Sequence, residues 1–295
     1  MTDLSNALAA AAAEVETMLD TVLSPAGAPE TRIYDAMRYT TLGGGKRLRP
    51  FLVMECSRLF DVPKVSALRT GAALELIHCY SLVHDDLPAM DDDDLRRGKP
   101  TVHKQYDEAT AILAGDGLLT LAFEVVSDPA THTDAAIRAA LVLALAKAAG
   151  VRGMVGGQMI DLEAETKTLT LPEITVLQQL KTGALIGFGC EAGAILGNAS
   201  AESRTALRRY ADTLGLAFQI ADDLLDVEGN VEEMGKAVQK DADAGKATFV
   251  SLLGVDGARK KANALVDEAV GHLSVFDERA DLLRQTARFV VDRRN

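Results

Sequence analysis

HCYSLVHDDLPAMDDDDLRRGKP, residues 78–100, places six carboxylates (Asp85, Asp86 and Asp91 to Asp94) within ten residues. On one helix such crowding is destabilising, because like charges at close spacing repel. Pro88 resolves it. A helix tends to end just before proline, so Asp85 and Asp86 are predicted at a helix C-terminus, with Asp91 on the loop beyond. The helix dipole is negative at that end, and carboxylates there need a compensating cation. Oxygen-only ligands with open coordination positions suit magnesium, which binds through a few carboxylates, waters and phosphates. The plain alternative is a solvated acidic loop.

Outward from this stretch, helical periodicity dominates and no convincing strand alternation is found. Helices are predicted near 3–22, 30–42, 48–60, 64–88, 105–127, 134–150, 151–166, 172–198, 201–229, 247–253 and 256–293, the last interrupted around 271–276. Thr170, Pro172 and Glu173 form a T-x-x-E capping box with proline in the first turn. Gly43-Gly44-Gly45 reads as a turn, and a second polar segment runs from Gly229 to Gly245. No low-complexity linker divides the chain. The expectation is an all-α fold, a single domain over 1–295 built as a bundle of about ten helices around a deep central cavity.

Composition agrees. Tryptophan is absent and aromatics are 4% of the 295 residues, which favours helix over sheet. The net charge of −12 excludes the broad cationic face of a nucleic-acid-binding protein. Cys56, Cys79 and Cys190 are widely spaced and read as reduced, buried thiols. The N-terminus has acids within its apolar run and no basic region, so it does not read as a signal peptide. No uninterrupted apolar stretch approaches the roughly 20 residues of a membrane span. The expected location is cytoplasmic, without a membrane partner.

A second informative segment is FQIADDLLDV, residues 218–227. Asp222 and Asp226 are spaced i, i+4 and Asp223 and Asp226 i, i+3, so all three are expected on one helical face. Apolar neighbours surround them, and carboxylates in such a setting are paired or metal-bound. Two acidic clusters about 130 residues apart in a helical protein say more than either alone. Local positive charge supplies the complement. GGGKRLRP (43–50) offers Lys46, Arg47 and Arg49 after glycines that let backbone amides approach an anion. Arg96 and Arg97 follow the first cluster, and arginines beside a metal-binding loop suit bidentate phosphate contacts. Lys181-Thr182, Lys236 and Lys246 fall near or between the later motifs. His78, seven residues before Asp85, returns to nearly the same face, about 10 Å along the helix.

These segments resemble the two aspartate-rich motifs of trans-prenyltransferases, specifically the bacterial type of farnesyl diphosphate synthase. GGGKRLRP, HDDLPAMDDDDLRRGKPTVH, GGQMIDL, KTGALI, FQIADDLLD and GKATF match in order, over residues from about 30 to 255. The resemblance implies that Asp85, Asp91 and Asp222 hold magnesium, three ions in all, against an allylic diphosphate. Asp86, Asp223 and Asp226 would support them. It implies that Arg96, Lys181, Lys236 and Lys246 contact that diphosphate, and that Lys46, Arg49, His78 and Arg97 bind isopentenyl diphosphate. Thr182 and Gln219 would border the reacting carbons, with Gln158 and Asp161 lining the cavity. Resembling enzymes are homodimers.

The chemistry explains the residue types. Breaking the allylic C–O bond leaves a carbocation and diphosphate, so cations must stabilise the leaving group. The isopentenyl double bond then attacks, and a proton is lost to the released diphosphate, which requires no side-chain base. A bulky residue five positions before the first motif, here Tyr80, limits the tail in resembling enzymes and points to a fifteen-carbon product. Helical-wheel geometry alone would instead nominate Ser81, nearly beneath Asp85. The alternatives are geranylgeranyl diphosphate synthase, a class I terpene cyclase, or a non-catalytic helical subunit.

Overall fold

The computed structural model describes residues 3–25, 27, 29–164, 166–228 and 248–292, and helices make up nearly all of its regular structure. The only strands among the described residues are β1 (Leu95–Arg96) and β2 (Lys99–Pro100), antiparallel with Arg96 opposite Lys99. Arg97 and Gly98 turn the corner with φ of 53° and 73°. Two successive positive φ values give the tight loop whose twist suits a hairpin. Two-residue strands are too short to show alternation, which is why none was expected.

The chain divides into two compact units, Met1–Met54 with Val62–Val142, and Glu55–Asp61 with Leu143–Asn295. The first unit holds α1 (Asp3–Val22), α2 (Thr31–Thr41), the start of α3 (Leu48–Arg58) and α4 (Lys64–Asp85). The hairpin, α5 (Val102–Gln105), α6 (Glu108–Ser127) and the first half of α7 (Ala135–Ala149) complete it. α1 buries Leu4, Ala11, Val15 and Leu19, an apolar stripe at helical spacing. α4 buries residues on every side from Ser66 to Val83, and a helix apolar all round belongs in a core. It runs along α6 and also touches α1 and α2. As Pro88 demands, α4 ends at Asp85.

Two helical runs are apolar without being unbroken. α6 and the run from 135 to 164 have the length and mean hydropathy (1.6 and 1.5) of a membrane-crossing helix. A sequence scan for unbroken apolar runs passes over both, because α6 contains Asp116 and Glu124. The other run is interrupted by a turn at 150–153.

The second unit continues α7 and adds α8 (Met154–Ala164), α9 (Leu171–Gln178), a π-turn (Gln179–Gly183) and α10 (Ala184–Leu196). α11 (Ala201–Glu228), α12 (Phe249–His272) and α13 (Asp281–Asp292) follow. The Thr170 capping box forms as expected, with the Thr170 N–H donating to Glu173 Oε2 at 2.8 Å. α11 packs on α12 and α10, and Ile174, Leu177, Ile220, Leu224 and Phe249 share one core cluster. Burying each such side chain contributes about 1.5–3 kcal/mol. Gly254, with φ 69°, breaks α12 near the boundary read from the sequence. Cys56, Cys79 and Cys190 are free and buried. Burial pushes the Cys56 thiol well above its ordinary pKa, which leaves it inert.

Candidate active site

In the first unit the loop after α4 folds back so that the Asp91 N–H donates to the Asp85 carbonyl at 2.9 Å. Asp92, with φ 49°, makes this return possible. Asp85 and Asp91, two of the three aspartates that the resemblance nominates as metal ligands, are therefore neighbours in space. Asp86, Asp93 and Asp94 have local cations. Arg96 pairs with Asp86 at 2.6 Å and with Asp93 at 3.6 Å, and Lys104 pairs with Asp94 at 2.8 Å. Asp86 is buried, and burial raises its pKa against the pull of the Arg96 guanidinium. The crowding seen in the sequence is thus relieved by sorting the carboxylates among different cations.

The basic set divides as well. Arg47 is 3% exposed, pairs with Glu75 at 2.6 Å and Glu16 at 2.7 Å, and donates to the Thr41 carbonyl. It is a core ion pair with no surface left for an anion. Lys46 is exposed and Arg49 half-buried at the start of α3, where the helix dipole also favours negative charge. The glycine turn meets an arginine. Arg97 donates to the Gly44 carbonyl, and a Cβ on Gly45 would lie 2.9 Å from Arg97 Nη1. The missing side chain of Gly45 leaves room for this arginine. His78 is half-buried on α4. Burial and the fields of Arg49, Arg97, Arg96 and Arg47 hold its pKa well below 6.5. Arg96 and Arg97 also line a small pocket with Gly43, Asp86 and Thr101.

Tyr80 is 6% exposed, and its hydroxyl pKa is pushed up to about 12 by burial and by Asp85. Its ring meets the His84 imidazole edge to face at 5.9 Å. Ser81 donates to the His78 carbonyl at 2.9 Å.

In the second unit, Lys181 and Thr182 sit in the π-turn, where one extra residue widens the helix. Two glycines let this wider turn nest. A Cβ on Gly157 of α8 would lie 2.2 Å from the Lys181 backbone nitrogen, and one on Gly215 of α11 would lie 3.1 Å from Gly183 Cα. Lys181 Nζ pairs with Asp161 at 2.8 Å. The Gln158 side-chain nitrogen is buried without a hydrogen-bond partner. Gln219, Asp222 and Asp226 share a half-buried stripe of α11. Asp223 does not join them. It is 6% exposed and accepts the Phe249 N–H at 2.7 Å, holding the start of α12. An i, i+3 relation admitted it to the stripe, but the unsatisfied amide at a helix N-terminus claimed it. Lys236 and Lys246 lie outside the described residues.

Among the described residues no three His, Cys, Asp or Glu side chains converge into a cage for a metal ion. What the described residues offer are aspartates in pairs, Asp85 with Asp91 and Asp222 with Asp226, oxygen donors of the kind magnesium accepts while it completes its shell with water and phosphate.

The sequence model of polyprenyl synthetases matches residues 30–285. The chain belongs to the polyprenyl synthetase family. It is a transferase of the prenyl class. It is 45% identical over 264 residues to the farnesyl diphosphate synthase of Geobacillus stearothermophilus, covering 89% of each chain. To the geranylgeranyl diphosphate synthase of Cyanophora paradoxa it is 43% identical, covering 92% of this chain and 90% of the relative. A crystal structure of an FPP/GFPP synthase from Zymomonas mobilis superposes with a TM-score of 0.91 at 52% identity, covering 98% of this chain and 99% of that one.

The family match runs through both units. Two residues that pack together have no assigned role in the sequence reading. His84 and Gly115 come together only through the packing of α4 on α6, and no local pattern signals the pair.

Proposed function

We propose that this protein condenses isopentenyl diphosphate with dimethylallyl and then geranyl diphosphate, releasing diphosphate and giving the fifteen-carbon product. The observation that carries the reading is the kind of grouping found in each unit. Aspartates stand close together, at a helix end and its following loop in one unit and on one stripe of a helix in the other, with basic side chains on the same or the packed element. Asp85, whose carbonyl the Asp91 amide meets, acts on Arg96, and Arg96 with Arg97 and Arg49 acts on His78, while Asp222 and Asp226 belong to the helix packed on the Lys181 turn.

Magnesium held by Asp85, Asp91 and Asp222 would withdraw charge from the allylic leaving group when bound. Arg96 and Lys181 bind the same diphosphate as it accumulates charge, with Lys236 and Lys246. Lys46, Arg49, His78 and Arg97 bind isopentenyl diphosphate, and the neutral imidazole of His78 donates one hydrogen bond without adding to the arginine charge. Thr182 and Gln219 present dipoles to the carbons that carry positive charge. Asp86 and Asp223 contribute indirectly, by fixing Arg96 and the start of α12. Tyr80 bounds the tail.

The chain works as one polyprenyl synthase domain, in the cytoplasm and as a homodimer. Ile112 and Leu113, 45% and 59% exposed on α6, are the kind of apolar surface that a second copy would cover. Purified protein with magnesium, dimethylallyl diphosphate and isopentenyl diphosphate should release diphosphate and yield a fifteen-carbon alcohol after dephosphorylation. A cyclic hydrocarbon, or no turnover, would overturn the reading. A twenty-carbon main product would overturn only the chain length.

A further inference from the structure

We propose that His84 is a positioning residue for product length, bracing the Tyr80 ring through a notch in α6 made by Gly115. The inference rests on the reading of Tyr80 as the residue that bounds the tail.

His84 has no part in the reaction as described. Its surroundings are nevertheless closely built. A Cβ on Gly115 would lie 2.1 Å from His84 Nε2, 2.4 Å from Cδ2 and 2.8 Å from Cε1, so the imidazole occupies the volume where any other residue would have a side chain. Nε2–H donates to the Ile112 carbonyl at 3.1 Å, and Asp116 Oδ1 lies 4.0 Å from the same nitrogen. On its other side the ring meets Tyr80 at 5.9 Å and 77°. One imidazole is thus anchored to α6 by sterics and by a hydrogen bond, and it presents an edge-to-face contact to a tyrosine four residues earlier on α4.

A residue that limits a growing chain must resist being pushed aside. Tyr80 has two free torsions, and a tail one unit longer would favour any rotamer that yields. Aromatic pairs prefer this T-shaped geometry, so the His84 ring penalises departure of the tyrosine from its place. Because the imidazole is itself locked against α6, the penalty is transmitted to a rigid helix. Gly115 is then required for its missing side chain, not for backbone freedom, since it sits within regular α6 and buries fully.

The test compares product lengths from wild type, Tyr80→Ala, His84→Gln, Gly115→Ala and the Tyr80→Ala/His84→Gln double variant, each confirmed folded by its melting transition. Glutamine keeps a donor for the Ile112 carbonyl but removes the ring. His84→Gln and Gly115→Ala should each raise the ratio of longer products to the fifteen-carbon product by roughly two- to tenfold, the range expected for loss of one aromatic contact. In the Tyr80→Ala background, His84→Gln should add nothing. If Gly115→Ala does not fold, His84→Gln and the double variant decide alone. A lengthened product from Tyr80→Ala with unchanged product from His84→Gln overturns the brace and leaves the Tyr80 reading intact. Equal lengthening by His84→Gln with and without Tyr80 overturns it too, since His84 would then act by itself. An unchanged product from Tyr80→Ala removes the reading of Tyr80 and the inference with it.

Discussion

Arg47 and Arg49 stand two positions apart in one basic stretch, yet burial separates their fates. The Arg47 side chain has no exposure and neutralises Glu75, itself 4% exposed. Removing one partner of such a pair strands the other charge, so Arg47→Ala should lose about 3–5 kcal/mol of stability in chemical denaturation. Arg49→Ala should cost less stability than Arg47→Ala and should raise KM for isopentenyl diphosphate about ten- to a hundredfold, as loss of a charged hydrogen bond does. Steady-state kinetics on both variants checks the division. His78 adds a pH signature. Its folded pKa lies well below 6.5, so the unfolded chain binds the extra proton first. Stability should therefore be full above about pH 6.5 and fall as pH drops through that value toward the folded pKa. Removing the imidazole by His78→Ala should flatten this part of the pH–stability curve. A diphosphate bound among the arginines should raise the His78 pKa, which ring chemical shifts in NMR would report.

Helix ends and helix irregularities differ in how well local sequence announces them. Pro88 and the Thr170–Glu173 box are read from three or four consecutive residues, and both act where expected. The π-turn at 179–183 was read as ordinary helix within 172–198, because one inserted residue leaves the apolar period nearly intact on either side. Its cause is non-local. Gly157 and Gly215 clear space for a wider turn on two neighbouring helices. Gly157→Ala would place a methyl 2.2 Å from the Lys181 nitrogen, and backbone cannot yield as a flexible side chain does. The variant should lose about 1–3 kcal/mol, as overpacked cores do, and kcat should fall more than tenfold as Lys181 moves off its geometry. Retained kcat in a folded Gly157→Ala protein would mean that the turn serves packing only.

At the scale of the whole molecule, the chemistry-bearing residues are divided between two units, each with its own core. Asp85→Ala in one and Asp222→Ala in the other should each reduce turnover by several orders of magnitude at saturating magnesium, with melting transitions near wild type. Activity within tenfold of wild type for either would remove that aspartate as a ligand. Much of this was legible beforehand. The helices, the end of α4 and the two acidic motifs follow from periodicity, proline, charge and spacing, all of which act over a few residues of chain, and the family came from the resemblance of the ordered motifs. Tertiary structure alone decided the assignments within each motif. Arg47 went to the core because Glu75 lies 28 residues away, Asp223 went to α12 because Phe249 lies 26 away, and His84 found its notch at Gly115. A charged or polar side chain takes the partner that burial leaves it, and burial depends on which helices pack together, not on the neighbours along the sequence.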